Sequence, residues 1–306
     1  MDVAVYLTSP HQFRGCCLSD YPFSFGDCHV NQVASAYTKM CDLLTKRGIH
    51  RFTYLYFGSE FCEFLIPSQQ DLEQYVEICI ANNLRPVFVT PVVTDRGLDC
   101  LQDCFDFLDS LSIPYSIVIN DLGVLQLFCS RPRVPELIAG RVLDKTSHDC
   151  RISENEIGFY YSASGMRYAS EPGILSDHSI GVLSPLGISR YEFDLPKTGL
   201  DLRHSSSALS LYWPFHYLTT GRVCIFSSIG KTGKEKFLVG QRSCGKSCKA
   251  LELELRKPIN GYSFEHGLRK NNQYLFQKGN TVFYLYENSN IAEQIEQFDR
   301  IVLQLL

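Results

Sequence analysis

Four cysteines are the residues of this chain whose type and spacing point most directly to chemistry. Cys244 and Cys248 form a Cys-x3-Cys pair, Cys224 lies 20 positions before Cys244, and Cys62 follows an early predicted strand. A Cys-x3-Cys pair on a helix or a tight turn places both sulfurs on one face. Two more thiolates from distant segments would complete a four-sulfur site, which suits zinc or an iron–sulfur cluster. A zinc ribbon normally shows two close pairs, so one pair with two remote single cysteines fits it less well. Unrelated core thiols are the third interpretation.

The composition describes a folded protein and limits its partners. The chain has 306 residues, a formal net charge of −4, 45% apolar residues and 13 cysteines. The charge gives no overall attraction to nucleic acid or to an acidic membrane. No apolar run reaches the roughly 18 to 20 residues of a membrane span. An odd number of scattered cysteines, behind an N-terminus without a basic signal region, predicts a cytoplasmic protein with free thiols.

The first 140 residues alternate between strand-like runs and amphipathic helices. Such alternation predicts parallel strands with helices packed outside them. No Gly-x-Gly-x-x-Gly turn follows a strand, so a dinucleotide-binding sheet has no support and an α/β fold of the (β/α)8 barrel type is favoured. The predicted strands are 2–8, 51–57, 86–93, 115–120 and 136–139, and the predicted helices are 32–47, 68–82, 98–111 and a short one from 121.

The second half of the chain is less regular. The tyrosine-rich stretch 149–172 is predicted to be irregular, and 179–183 is an apolar run of undecided type. Strands are expected at 189–194, 205–215, 251–255 and 281–286, and a closing helix at 291–305. No repeat or linker marks a boundary, so a single domain 1–306 is predicted, with a cysteine-bearing region at 215–257 on one face.

Three segments carry a resemblance to a known family. Segment 56–62 (YFGSEFC) resembles the strand end of the collagenase-like "peptidase" family of unclassified mechanism, also called U32. Segment 119–124 (INDLGV) is similar to a strand–turn of that family, and Cys224 with the Cys244–Cys248 pair is similar to its C-terminal cysteine set, with a longer spacer here. The likeness is strongest to the single-domain ubiquinone-biosynthesis members, UbiV and UbiU.

The resemblance implies a barrel-like fold and a role for the four cysteines. It implies that Cys62, Cys224, Cys244 and Cys248 are ligands of a 4Fe-4S cluster, with zinc as the alternative. The implied activity is an oxygen-independent hydroxylation of a ubiquinone-type precursor, a small molecule, with prephenate as the oxygen donor. Relatives that hydroxylate RNA bases make RNA the alternative substrate. A heterodimer with a UbiU-like paralogue is the implied partnership, and a non-catalytic iron–sulfur or zinc subunit is the non-enzymatic alternative.

The chain departs from the family where peptidase chemistry would be expected. The peptidase-type signature has a glutamate and a His-Gly pair before the first C-terminal cysteine, whereas 209–216 (LSLYWPFH) has no acidic residue. No Ser/His/Asp or Cys/His arrangement replaces it. Proteolysis is therefore the least favoured activity.

Several other residues are candidates for binding or catalytic sites. Arg141 and Lys145 follow a predicted barrel strand, where they could bind a substrate carboxylate or form an ordinary ion pair. The further candidates are Cys16-Cys17 with Cys28 and His29 as a metal or redox group, His148-Asp149 as a proton-transfer pair, and the lysine-rich loop 231–236 as an RNA contact or a solvated loop. Cys41, Cys79, Cys104 and Cys100 are expected to be packing residues.

Overall fold

Eight parallel strands close into a barrel in the computed structural model. The model describes residues 1–21, 30–111, 113–131, 135–146, 148, 158, 161–196, 198–202, 207–237, 244–255, 275–285 and 291–306. The first seven strands of the barrel follow one another in chain order, and the last strand of the chain closes it by pairing with both the seventh and the first. The predicted (β/α)8 barrel is confirmed by this topology.

The barrel strands are short and almost completely buried, as parallel strands covered by helices are. They are β1 Asp2–Leu7, β2 Tyr54–Gly58, β3 Arg85–Val89, β4 Ser116–Ile119, β5 Glu136–Ala139, β6 Ile188–Phe193, β7 Ala208–Trp213 and β12 Arg300–Leu305.

Helices occupy most of the connections between these strands. They are α1 Val30–Lys46, α2 Gln69–Asn82, α3 Asp95–Ser110, α4 Leu122–Phe128, α5 Ala163–Ser170, α6 Asp177–Leu183 and α7 Ile291–Gln294. Ser68 caps α2 by accepting a hydrogen bond from the Asp71 amide, and Asn83 ends that helix in the left-handed conformation. None of the described helices is long and apolar enough to cross a membrane.

The main core lies between the barrel and its helices. α1 contributes Tyr37, Met40 and Leu44, and α3 contributes Leu101 and Phe105, all with no exposed surface. Cys79 and Cys104 are buried as predicted, and Cys41 is partly buried against this core. Cys100 is exposed, so its assignment as a packing residue is wrong.

A smaller antiparallel sheet is inserted between β7 and β12. Its order is β8 Phe215–Thr220, β11 Thr281–Leu285, β10 Leu275–Lys278 and β9 Leu253–Glu254. β10 and β11 are joined by the two-residue turn Gly279-Asn280, and Gly279 has a φ of +61°, as a glycine-first hairpin turn requires. The sheet continues directly from β7, so it carries the cysteine-bearing region to the barrel.

The predicted closing helix at 291–305 is wrong. Only Ile291–Gln294 is α-helical, a 3-10 turn follows at Ile295–Gln297, and Arg300–Leu305 is the strand that closes the barrel. This strand is buried on both faces, so its sequence RIVLQL shows no clean alternation of apolar and polar residues. The undecided run at 179–183 belongs to helix α6, and 163–170 within the stretch expected to be irregular is helix α5.

Candidate four-cysteine site

Cys62 lies in the loop that follows β2, at the carboxyl end of the barrel. Its backbone is fixed by Ser59, whose Oγ donates to the Cys62 carbonyl oxygen at 3.1 Å and accepts from the Cys62 amide at 3.3 Å. Cys62 then precedes the 3-10 turn Glu63–Leu65. Loops at the carboxyl ends of barrel strands form the active sites of this architecture.

The other three cysteines come from the connection between β8 and β9. The carbonyl oxygen of Cys224 accepts hydrogen bonds from the Oγ atoms of Ser227 and Ser228, at 2.7 and 3.2 Å. Cys248 is buried in a 3-10 turn that begins after Lys246, a residue with a left-handed backbone. Local hydrogen bonds therefore position Cys224, and a tight turn positions Cys248.

The charges of the four cysteines interact with one another. Burial raises the pKa of Cys62 to about 12, and the charges of Cys248, Cys224 and Cys244 each contribute to that rise. Burial likewise raises the pKa of Cys248, with contributions from Cys224 and Cys244 and an opposing one from Lys278. Because one charge shifts another's pKa only at short range, these interactions place the four thiols in the same region of the molecule.

Among the described residues, the four thiols do not form a coordination shell around one point. Within the described part of the chain, no group of three or more His, Cys, Asp or Glu side chains is arranged to hold a single metal ion. Four sulfurs around one zinc would each lie about 2.3 Å from it. The donor set fits a thiolate-liganded group, while the identity of that group stays a prediction.

The turn between β10 and β11 connects the loops that carry the cysteines. Asn280 Nδ2 donates to the carbonyl oxygens of Phe61 and Gly221, both at 2.7 Å, and the Gly221 amide donates to the Asn280 carbonyl oxygen. Phe61 precedes Cys62 directly, and Gly221 lies three residues before Cys224. The neighbouring Gly279 packs near the Cys248 side chain, since a Cβ atom there would lie 3.7 Å from Sγ.

A small cavity opens beside the cluster. It has a volume of about 80 Å³, and Cys62 and Cys248 both line it. Lys249 and Lys278 also line it and give it positive charge, and Glu60 contributes a carboxylate that is already hydrogen-bonded. The cavity is thus accessible to a small group and favours a negatively charged one.

Arg141 lies at the centre of a buried ionic network just inside the barrel mouth. Its Nε and Nη2 bind the two oxygens of Glu60 at 2.8 and 2.7 Å, and Nη1 binds Asp194 at 2.5 Å. The remaining donors bind Gln304 Oε1 and the Phe215 carbonyl oxygen. Burial alone would lower the pKa of Arg141, but Asp194 and Glu60 hold it well above its ordinary value. All five N–H donors of Arg141 are therefore engaged with protein groups.

Lys145 lies apart from this network. Its side chain is exposed, and Nζ donates to the Val142 carbonyl oxygen at 2.9 Å. A substrate role for Arg141 or Lys145 stays a prediction. In the present geometry Arg141 would have to give up a protein partner to bind a substrate carboxylate.

A second polar group fills the barrel interior. The carboxylate of Glu192 accepts hydrogen bonds from the hydroxyls of Tyr56 and Tyr212, at 2.7 and 2.8 Å, and Arg300 Nη1 binds the Tyr56 hydroxyl at 2.9 Å. Burial raises the pKa of Glu192 to about 7. The sequence signal for this group was the alternation in strand 189–194, which places Glu192 and Asp194 on the same face as Arg190.

The other candidates are distributed around the molecule. His148 packs against the Tyr217 ring with 4.4 Å between ring centroids, and Asp144 is the carboxylate that interacts with it. Asp149, Cys28 and His29 lie outside the described residues. Lys234 and Lys236 of the lysine-rich loop are exposed. Cys100 and Cys104 line a groove of about 510 Å³ that also contacts Cys244.

The comparisons with known proteins add little to this geometry. A scan against models of known protein families finds no match, and a sequence search of curated proteins finds none either. The similar solved structures include one described as "The Structure of the U32 Peptidase Mk0906", with 9% identity and a TM-score of 0.41 over 100% of this chain and 93% of that chain. A likeness at this level carries no argument. The barrel assignment therefore rests on the strand order, and the function rests on the site.

Proposed function

We propose that the chain binds a 4Fe-4S cluster through Cys62, Cys224, Cys244 and Cys248 and takes part in an oxygen-independent hydroxylation. The observation that supports the proposal is that Cys62, at the carboxyl end of the barrel, interacts electrostatically with Cys248, Cys224 and Cys244, which come from a distant part of the chain. The resemblance of segments 56–62 and 119–124 to the collagenase-like family supports the same assignment.

The donor set supports a cluster more than a zinc ion. Cysteine thiolates are the usual ligands of 4Fe-4S clusters, and each binds a separate iron. A zinc ribbon normally has two close cysteine pairs, whereas this chain has one close pair, Cys244 and Cys248, and two remote single cysteines. A structural zinc, or a non-catalytic subunit with a cluster, is the second candidate.

The residues around the cysteines would hold and orient a substrate. Lys249 and Lys278 attract an anion to the cavity that Cys62 and Cys248 line. The ionic network of Arg141, Glu60 and Asp194 makes the inner side of that cavity rigid. When bound, the cluster supplies electron-transfer or Lewis-acid chemistry next to this cavity. Prephenate, the proposed oxygen donor, carries carboxylates that the two lysines would attract, and a cavity of about 80 Å³ has room for one such group rather than for the whole molecule.

The acceptor of the hydroxyl group is proposed from the resemblance alone. A ubiquinone-type precursor is the first candidate and an RNA base is the alternative. The partner proposed on the same basis is a UbiU-like paralogue in a heterodimer. The net charge of −4 disfavours RNA, although the exposed Lys234 and Lys236 provide a local basic surface.

Deletion of the gene in the source organism tests the activity. We expect cells grown without oxygen to lack one hydroxyl on a quinone precursor, as measured by mass spectrometry of lipids and of RNA nucleosides in parallel. The wild-type gene should restore the hydroxyl, a gene with Cys224→Ser should fail, and one with Cys129→Ser should succeed because Cys129 is an exposed cysteine on helix α4's end. Full restoration by Cys224→Ser would contradict the proposal. A missing RNA hydroxyl would select the alternative substrate.

A further inference from the structure

Two adjacent cysteines at the amino end of the barrel are held against an arginine. The loop 15–18 pairs with the segment before β2: the Phe52 amide donates to the Cys16 carbonyl oxygen at 2.8 Å, and Cys17 forms a β-bridge with Arg51. The Leu18 amide also donates to the His50 carbonyl oxygen, at 3.0 Å. These backbone bonds on both sides fix the thiols relative to the Arg51 side chain.

The two sulfurs have different surroundings. Arg51 Nη2 donates to Cys16 Sγ at 3.0 Å, and Cys17, the next residue in the chain, carries the second thiol. A guanidinium donor stabilises negative charge on the sulfur it contacts. Partial burial raises the pKa of Cys17, and the Asp20 carboxylate adds to the rise. Cys16, which contacts the guanidinium, is therefore arranged as the nucleophile and Cys17 as the neighbouring thiol.

The backbone before the pair has a fixed form. Gly15 lies against Asp20, and a Cβ atom at Gly15 would come within 2.1 Å of the Asp20 carboxylate. That carboxylate accepts a hydrogen bond from the Cys17 amide at 2.8 Å. The contacts of Gly15 and of the Cys17 amide with Asp20 thus fix the backbone of the loop at Cys17.

The pair is accessible. Cys16 and Cys17 are both partly exposed, and Arg51 is exposed on the wall of an open cavity of about 720 Å³. Cys79 provides the contrast, because it is buried and burial raises its pKa to about 12. Reactive cysteines occupy partly exposed positions next to a cation, whereas buried ones are inert.

We propose that Cys16 and Cys17 form an oxidation site for hydrogen peroxide or another small hydroperoxide. The Cys16 thiolate attacks one peroxide oxygen, the O–O bond breaks, and Cys16 sulfenic acid forms with release of a water molecule after protonation. The Cys17 thiol then attacks the Cys16 sulfur, the S–O bond breaks, and a disulfide forms with release of a second water. Two thiols are oxidised and one peroxide is reduced to two waters. The site is separate from the four-cysteine cluster and does not depend on the proposed function.

Timed peroxide treatment of the anaerobically purified protein tests this site. Chymotryptic cleavage after Phe13 and Tyr21 isolates the pair from Cys28, so mass spectrometry can follow it alone. We expect this peptide to lose two hydrogen atoms faster than Cys129 is oxidised. Cys129 is the matched control because it is exposed and its thiol contacts only the Leu125 carbonyl oxygen among the contacts described.

Two variants test the roles of Arg51 and Cys17 in the oxidation of Cys16. Arg51→Gln should slow oxidation of the pair about tenfold, since it removes one charge-assisted hydrogen bond to the thiolate. Cys17→Ser should leave a persistent sulfenic acid at Cys16 that dimedone traps. Oxidation of Cys16 no faster than that of Cys129, or an absence of the dimedone adduct in Cys17→Ser, would overturn the proposal.

Discussion

Asn280 donates a hydrogen bond to the carbonyl oxygen of Phe61, 219 positions away in the sequence, at 2.7 Å. The same amide nitrogen donates to Gly221 at 2.7 Å. One side chain thus connects the loop of Cys62 to the segment that leads to Cys224. Both bonds use the two N–H groups that only an amide supplies at this position. The relative placement of cysteines from two parts of the chain depends on this contact.

Replacement of Asn280 by aspartate should weaken metal retention. Aspartate has nearly the same shape but donates no hydrogen bond, so the partly buried Phe61 and the exposed Gly221 each lose a partner for their carbonyl oxygen, at a cost of about 1 kcal/mol per bond. We expect Asn280→Asp to release bound iron to a chelator about tenfold faster than the wild type, followed by loss of visible absorbance. Asn83→Asp, at an exposed helix end, is the matched control. Equal release rates for Asn280→Asp and the wild type would show that the contact does not position the cysteines.

Substitution of Arg141 should lower the free energy of unfolding far more than substitution of Lys145. Arg141→Met leaves Glu60 and Asp194 buried without their cation, so we expect a loss of about 3–5 kcal/mol in the free energy of unfolding. Lys145→Met should change it by less than about 0.5 kcal/mol, because the side chain is exposed. Urea unfolding monitored by the fluorescence of Trp213 measures both. A loss below about 1 kcal/mol for Arg141→Met would contradict a stabilising role.

The pH dependence of the free energy of unfolding should reveal the raised pKa of Glu192. Its pKa in the folded protein is raised by burial from 4.5 to about 7. The folded state therefore keeps a proton that the unfolded chain releases, and the free energy of unfolding falls as the pH rises from 4.5 to about 7. This one group accounts for about 3 kcal/mol over that interval.

Glu192→Gln removes this titration while it keeps the size of the side chain. Relative to the wild type, we expect the variant to gain about 3 kcal/mol in the free energy of unfolding between about pH 4 and pH 8. Urea unfolding at a series of pH values gives the difference directly. Parallel pH profiles for the two proteins would show that Glu192 has an ordinary pKa.

The barrel could be predicted from the sequence where its elements are periodic. Helices α2 and α3 have apolar stripes, Ser68 caps α2, and β2 and β3 are compact apolar runs, so the first half of the fold could be predicted. The closing strand β12 was missed because a strand buried on both faces has no alternation, and its six apolar and polar residues fit a helix equally well. Pairing with β1 and β7 decides its form.

The candidate site was predicted in part. The order and spacing of the four cysteines suggested a common site; their charges interact in the fold, and the ligand set stays a prediction. The sequence did not reveal Asn280, although a Gly-Asn pair before the predicted strand 281–286 is a typical hairpin turn. The sequence also could not show that every N–H donor of Arg141 is hydrogen-bonded, because Glu60, Asp194 and Gln304 reach it from three different strand ends.

Metal analysis of the anaerobically purified chain tests the central claim most directly. Iron, acid-labile sulfide and zinc are measured with the visible spectrum for the wild type, Cys244→Ala and the control Cys129→Ser. The proposal predicts about four iron and four sulfide per chain in the wild type and in Cys129→Ser. It also predicts loss of broad visible absorbance in Cys244→Ala. Stoichiometric zinc, or no metal in the wild type, would contradict the cluster.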